Sequence, residues 1–127
     1  MNITAEVIKI APTREDAVDY GKVIFRVDFI KRVDIDSSYD FWVFMKTLVD
    51  GGAQKIIGNM KVVEYVDSSG IGVLINAAKL ARKNNGDIVL AHVSPEVKDI
   101  FKIINLQNFI KVFNTEVEAI EHFRYVK

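Results

Sequence analysis

A chain of 127 residues, half of them hydrophobic, carries the apolar material for one domain around one core. Seventeen basic side chains are balanced by seventeen acidic ones, so the cationic excess on which a nucleic-acid surface depends is missing. There is no cysteine, and the two histidines, His92 and His122, share no ligand spacing with nearby acids, which excludes disulfides and thiolate metal sites and leaves no metal or cofactor to expect.

Ile3 to Ile10, rich in branched residues and closed by Pro12, reads as a first strand. Lys22 to Phe29 alternates, with Val23, Ile24, Phe25, Val27 and Phe29, and reads as a second, after a turn signal at Gly21. Acids and serines cluster from Asp34 to Asp40. Phe41 to Val49 then reads as an aromatic-heavy helix, with Ser38 as its expected N-cap and Asp50-Gly51-Gly52 as its stop. Lys55 to Met60 is a short third strand, and Val62 and Val63 line the connection into Asp67-Ser68-Ser69-Gly70. From Gly70 to about Asn84 the pattern is helical, stopped by Asn84-Asn85-Gly86. Asp87 to Val93 is a strand, and Ser94-Pro95 opens a helix that runs to about Ile104. Phe109 to Phe113 is a last strand, and Thr115 to Glu118 forms a capping box for a terminal helix.

The order β-β-α-β-α-β-α-β-α predicts an α/β fold: a mixed, largely parallel sheet of four to five strands with helices mainly on one face, in one domain over residues 1–127. The N-terminus lacks the basic start and apolar stretch of a signal peptide, and runs such as Phe41 to Met45 are too short to span a bilayer. A cytoplasmic protein without a membrane or nucleic-acid partner is expected.

The tract from Val62 to Ile75 is the most informative. A β-branched run ends on Asp67, two hydroxyls follow, and two glycines open an apolar helix. A serine placed there stands beside a helix N-terminus, where N–H groups and the helix dipole favour negative charge. On a helical wheel Ile71, Leu74, Ile75, Ala78 and Ala81 share one side, and Val73, Ala77 and Leu80 widen it to about 220°. Gly72, Asn76, Lys79 and Lys83 form the polar strip. So wide an arc calls for a flanking helix, and its exposed edge near Ser68 offers a docking surface; both readings can hold.

A dinucleotide site would need a third glycine where Ile75 stands and an acid near Leu90-Ala91-His92. A nucleophile elbow would need glycine two residues before the serine, where Val66 or Asp67 is found. His92, at the end of the following strand, is the candidate base for a hydrolase using Ser68 or Ser69. A phosphate-binding Gly-x-x-x-x-Gly-Lys-Ser/Thr loop does not occur. As isolated chemistry, Asp67 and the serines cap a helix and fill a turn.

The whole succession is another matter. A strand, then Val66-Asp67-Ser68-Ser69-Gly70-Ile71-Gly72-Val73-Leu74, a helix, Gly86-Asp87-Ile88-Val89-Leu90, and a helix opened by Ser94-Pro95-Glu96-Val97 closely resemble the STAS family. These are the anti-sigma factor antagonist domains of bacteria, related to domains on sulfate transporters. The likeness covers residues 53 to 123, including Phe101 to Leu106 and Phe109 to Phe113 as last helix and strand. It implies that the serine directly after the motif's aspartate, Ser68, is phosphorylated by a partner that is both anti-sigma factor and serine kinase. It implies that the unphosphorylated domain binds this partner and frees a sigma factor, that phosphorylation ends the binding, and that the domain is no enzyme. The partner-binding residues it implies are Asp36, Asp67, Ser69, Gly70, Ile71, Gly72 and Asn76. No strong oligomerisation signal is present, so a monomer or weak dimer is expected. Other roles open to the same fold are scaffolding, transporter-linked regulation and small-ligand sensing.

The first half departs from the family pattern. Arg32 to Ser38 lacks the usual glycine, while Asp36 matches the final aspartate of the family's Gly-acid-Leu-Asp segment. Gly58 stands in the third strand where a bulky residue is usual. Asp36-Ser37-Ser38 echoes the phosphorylation motif, but Tyr39 follows in place of glycine, which marks a loop and cap.

Overall fold

In the computed structural model, which describes residues 3–9 and 23–125, the alternation of the sequence becomes β1 (Thr4–Lys9), β2 (Val23–Asp28), β3 (Arg32–Val33), α1 (Ser38–Asp50), β4 (Lys55–Asn59), β5 (Tyr65–Val66) and α2 (Ser68–Lys83). β6 (Asp87–Ala91), α3 (Pro95–Ile103), a 3-10 turn (Leu106–Asn108), β7 (Val112–Phe113) and α4 (Glu116–Tyr125) follow. The expected strand end at Ile10, Pro12, the turn at Gly21 and Lys22 lie outside the described residues. The main sheet has the order β1-β2-β4-β6-β7. β1 pairs antiparallel with β2, from Thr4 opposite Asp28 to Lys9 opposite Val23, and all other neighbours are parallel.

Because successive residues of a strand point to opposite faces, β2, β4 and β6 each feed two apolar layers. Phe25, Val27, Ile56, Ile88 and Leu90 meet Phe41 and Met45 of α1, Leu74 and Ala78 of α2, and Val97 and Phe101 of α3. Ile24, Ile57, Val89 and Ala91 meet Ala119 and Phe123 of α4 on the other side. The helices therefore lie mainly on one face, with the terminal helix crossing to the second. Its Ala119, next to the sheet, lets the helix approach closely enough to bury Phe123.

The broad apolar arc of α2 has its flanking helix in α1: α2 packs on both α1 and β6, and Val73, Leu74, Ala77, Ala78 and Ala81 are buried. Gly58 has a packing reason. A Cβ built there would lie 2.7 Å from the Phe29 ring and 2.9 Å from Leu90 Cδ2. The space is taken by Phe29, whose ring meets Phe41 edge-on at 4.8 Å between centroids. A large residue just past β2 thus fills the space of the side chain missing from β4.

Three local expectations need correction. β3 and β5 form a separate two-stranded parallel sheet, with Arg32 opposite Tyr65 and Val33 opposite Val66, too short to leave a periodic signal. The expected strand from Phe109 contracts to Val112–Phe113, because Ile110 turns into the core and the chain reaches the sheet edge only afterwards. The α1 N-cap is Ser37 and not Ser38, and its hydroxyl does not cap the helix. It donates instead to the Arg32 carbonyl at 2.9 Å.

Candidate functional site

Asp67 leaves β5 in an extended conformation and becomes the N-cap of α2. Its Oδ1 accepts the Gly70 N–H at 3.0 Å, the cap bond expected three residues into a helix. Its own N–H donates to the Val33 carbonyl at 3.2 Å. The N–H groups of Ser68 and Ser69 have no acceptor among the described residues and form the positive end of the helix dipole. Ser68 is the first residue of α2 and is exposed, and its hydroxyl has no hydrogen-bond partner among the described residues. The site thus offers an exposed hydroxyl, unpartnered among the described residues, at the partly positive end of a helix.

The second oxygen of Asp67 reaches across to the β3–α1 loop, where Oδ2 accepts the Ile35 N–H at 3.0 Å. That loop is fixed from within by Asp34, which sequence reasoning overlooked. Asp34 is only 8% exposed. Its carboxylate accepts from Arg32 Nε at 3.2 Å and from the N–H groups of Asp36 at 3.1 Å and Ser37 at 3.3 Å. The spacing Asp34-x-x-Ser37, with both side chains bonding nearby backbone, is an Asx-turn signal that could have revealed it. Burial pulls the Asp34 carboxyl upward, but the Arg32 hydrogen bond and then the Ser37 and Asp36 N–H groups outweigh it and hold it below its ordinary value of 3.8.

A folded pKa below the unfolded one means the stabilisation is complete above the unfolded value and is lost as pH falls through the folded value. Asp34→Asn is therefore expected to lower the thermal midpoint at neutral pH, and its gap to the native protein should close on acidification below pH ~4. Thermal melts at the two pH values check this; a gap of equal size at both contradicts the assignment.

The residues expected around Ser68 divide by position. Asp36 is exposed on the loop, and Asp67 joins that loop to α2. Ser69 is half-buried. Gly70 is buried, and a Cβ there would stand 2.1 Å from the Val33 carbonyl oxygen, so its part is to let α2 start hard against β3. Ile71 is half-buried and packs against the core. Gly72 faces open space, with nothing within 4 Å of a built Cβ, and Asn76 is exposed one turn further on. Ser68, Gly72 and Asn76 follow at four-residue intervals and share one stripe of the helix.

His92 has its own task. With φ at 59° it follows β6, and its Nε2 accepts the Glu116 N–H at 3.3 Å, which occupies the lone pair a general base for Ser68 or Ser69 would use. Among the described residues no cluster of three His, Asp or Glu side chains could hold a metal ion, and no helix is long and apolar enough to cross a membrane.

Comparison with known proteins places the fold in a family. A Thermotoga maritima protein provisionally named an anti-sigma factor antagonist is 30% identical over 96 residues, covering 74% of this chain and 84% of its own. The structure of the anti-sigma factor antagonist SpoIIAA in its unphosphorylated form superposes with a TM-score of 0.67 at 20% identity, covering 98% of this chain and 100% of that one. The Bacillus cell fate determinant SpoIIAA in its phosphorylated form gives a TM-score of 0.63 at 21% identity, covering 95% and 98%. With the family model of the STAS domain matching residues 16–119, the chain belongs to the STAS domain family.

Proposed function

We propose that this domain is an anti-sigma factor antagonist whose surface around Ser68 binds an anti-sigma factor with serine kinase activity, and that phosphorylation of Ser68 ends the binding. The observation that carries the reading is the Ser68 hydroxyl: exposed, without a partner among the described residues, and first in a helix whose N–H groups favour an anion. In the unphosphorylated state the domain occupies the anti-sigma factor and a sigma factor goes free. The partner then transfers the γ-phosphoryl group of ATP to Ser68 Oγ; the hydroxyl proton passes to a base of the kinase, and ADP leaves. The domain contributes the acceptor and the docking surface and performs no chemistry of its own.

The named relatives support the antagonist role, and the existence of SpoIIAA in both forms supports a phosphate on this fold. The test is co-purification with purified anti-sigma factor kinases of the source organism, with and without ATP. Retention without ATP and release after incubation with ATP are expected, with release abolished by Ser68→Ala. A domain used for scaffolding would be retained equally in both, and that outcome would overturn the proposal.

A further inference from the structure

We infer that Ile35, on the β3–α1 loop, and Tyr39, in the first turn of α1, form a second anchor of the partner interface, and that they fit an apolar recess rimmed by basic side chains on the kinase. The inference rests on the reading of Ser68 as that kinase's target. Ile35 is 70% exposed and Tyr39 74% exposed, four residues apart. Single exposed apolar residues are ordinary on a protein surface; two that are displayed on a rigid support beside a functional group are not.

The support is rigid because six hydrogen bonds converge on it. Asp34 holds the Asp36 and Ser37 N–H groups, and the Ser37 hydroxyl donates to the Arg32 carbonyl. The Ser38 hydroxyl donates to the Ile35 carbonyl at 3.2 Å, and the Ser37 N–H donates to the Asp34 carbonyl at 3.1 Å. The last bond, from the Ile35 N–H to Asp67 Oδ2, ties the loop to the residue preceding Ser68. None of these bonds uses the side chain of Ile35 or Tyr39, so the fold would form as well with polar residues there. With the backbone beneath the pair already ordered, docking has only the two side chains left to order, which favours an anchor.

The flanking charges define the partner. The carboxylates of Asp36 and Asp40 are exposed and have no cationic or hydrogen-bonded partner among the described residues. They call for cations on the α1 side of the interface. Opposite Ser68 itself a kinase must place the phosphates of its nucleotide, so a phosphoserine there meets like charge while the loop keeps its attraction.

The experiment uses the kinase that labels Ser68 of the native protein, and measures its Kd for the domain without ATP and the KM and kcat of labelling. Ile35→Ala combined with Tyr39→Ala is expected to raise Kd and KM by about tenfold or more with kcat and the thermal midpoint little changed. Val117→Ala, which truncates a residue 69% exposed on α4 at the other face, should change neither constant. Asp36→Asn combined with Asp40→Asn should flatten the dependence of Kd on salt. Kd and KM within about twofold of native for the Ile35 and Tyr39 variant, or an unaltered salt dependence for the Asp36 and Asp40 variant, would overturn the inference while leaving Ser68 as the target. If no kinase labels the native protein, the function proposed above falls, and this anchor with it.

Discussion

Ser68→Asp is expected to weaken binding of the anti-sigma factor kinase by more than about tenfold without lowering the thermal midpoint. The two effects separate because the same charge meets different surroundings. In the free domain an anion at the first position of α2 faces the open N–H groups of Ser68 and Ser69 and gains ~0.3–1 kcal/mol from the helix end. In a closed interface the charge loses its water next to the Asp67 carboxylate. One like-charge contact at ~4 Å and an effective dielectric of ~20 amounts to about 4 kcal/mol before screening. Even half of that exceeds the ~1.4 kcal/mol that makes a decade in affinity. A phosphate, with about −1.5 to −2 charges near neutral pH, should act more strongly in the same direction. Calorimetric titration paired with thermal melts checks both halves. Binding as tight as native, or a midpoint lowered by several degrees, contradicts the account.

Gly70→Ala and Gly72→Ala, the same substitution two residues apart on one helix, are expected to have opposite signs. At position 70 the added carbon would stand 2.1 Å from the Val33 carbonyl oxygen and 2.8 Å from Val33 Cγ1. A carbonyl is not the end of a flexible side chain. Val33 is held by its pairing with Val66 and by the Asp67 N–H, so the first turn of α2 has to move. Overpacking of this kind costs ~1–3 kcal/mol, and here it would also displace Ser68. At position 72 the added carbon meets nothing within 4 Å. Alanine in a helix interior is favoured over glycine by ~0.5–1 kcal/mol, so Gly72→Ala should stabilise the fold. Because Gly72 shares a stripe with Ser68, the added methyl should nonetheless weaken kinase binding. Denaturant melts of both variants, with a binding titration of Gly72→Ala, decide the matter. Equal stability changes at the two positions would show that the packing of this helix start is misread.

Much of the fold was legible because its signals are local. The glycine and asparagine stops, the Ser94 and Thr115 caps and the branched runs of β2, β4 and β6 each mark an element within a few residues. Asp67 as N-cap could likewise be read from Asp-Ser-Ser-Gly before an apolar helix. What escaped depends on contacts between distant parts of the chain. Gly58 has no visible reason in its own strand, since the ring that fills its place belongs to Phe29. The pairing of Arg32–Val33 with Tyr65–Val66 involves two residues on each side, yet it brings the Asp36 loop beside Asp67. The burial of Asp34 was hidden for another reason: in a run holding Asp34, Asp36 and Asp40, nothing but the turn geometry singles one acid out. The expected surface residue Gly70 illustrates the converse, a motif position whose local role is close packing against a strand.

The central claim, that one hydroxyl at the head of α2 receives and carries the signal, is tested most directly by mass spectrometry of peptides after incubation with the kinase and ATP. A single phosphate located on Ser68, absent from Ser68→Ala treated in the same way, is the result predicted. Stoichiometric phosphate on Ser68→Ala, or on Ser37, Ser38 or Ser69 of the native protein with Ser68 unmodified, would contradict it.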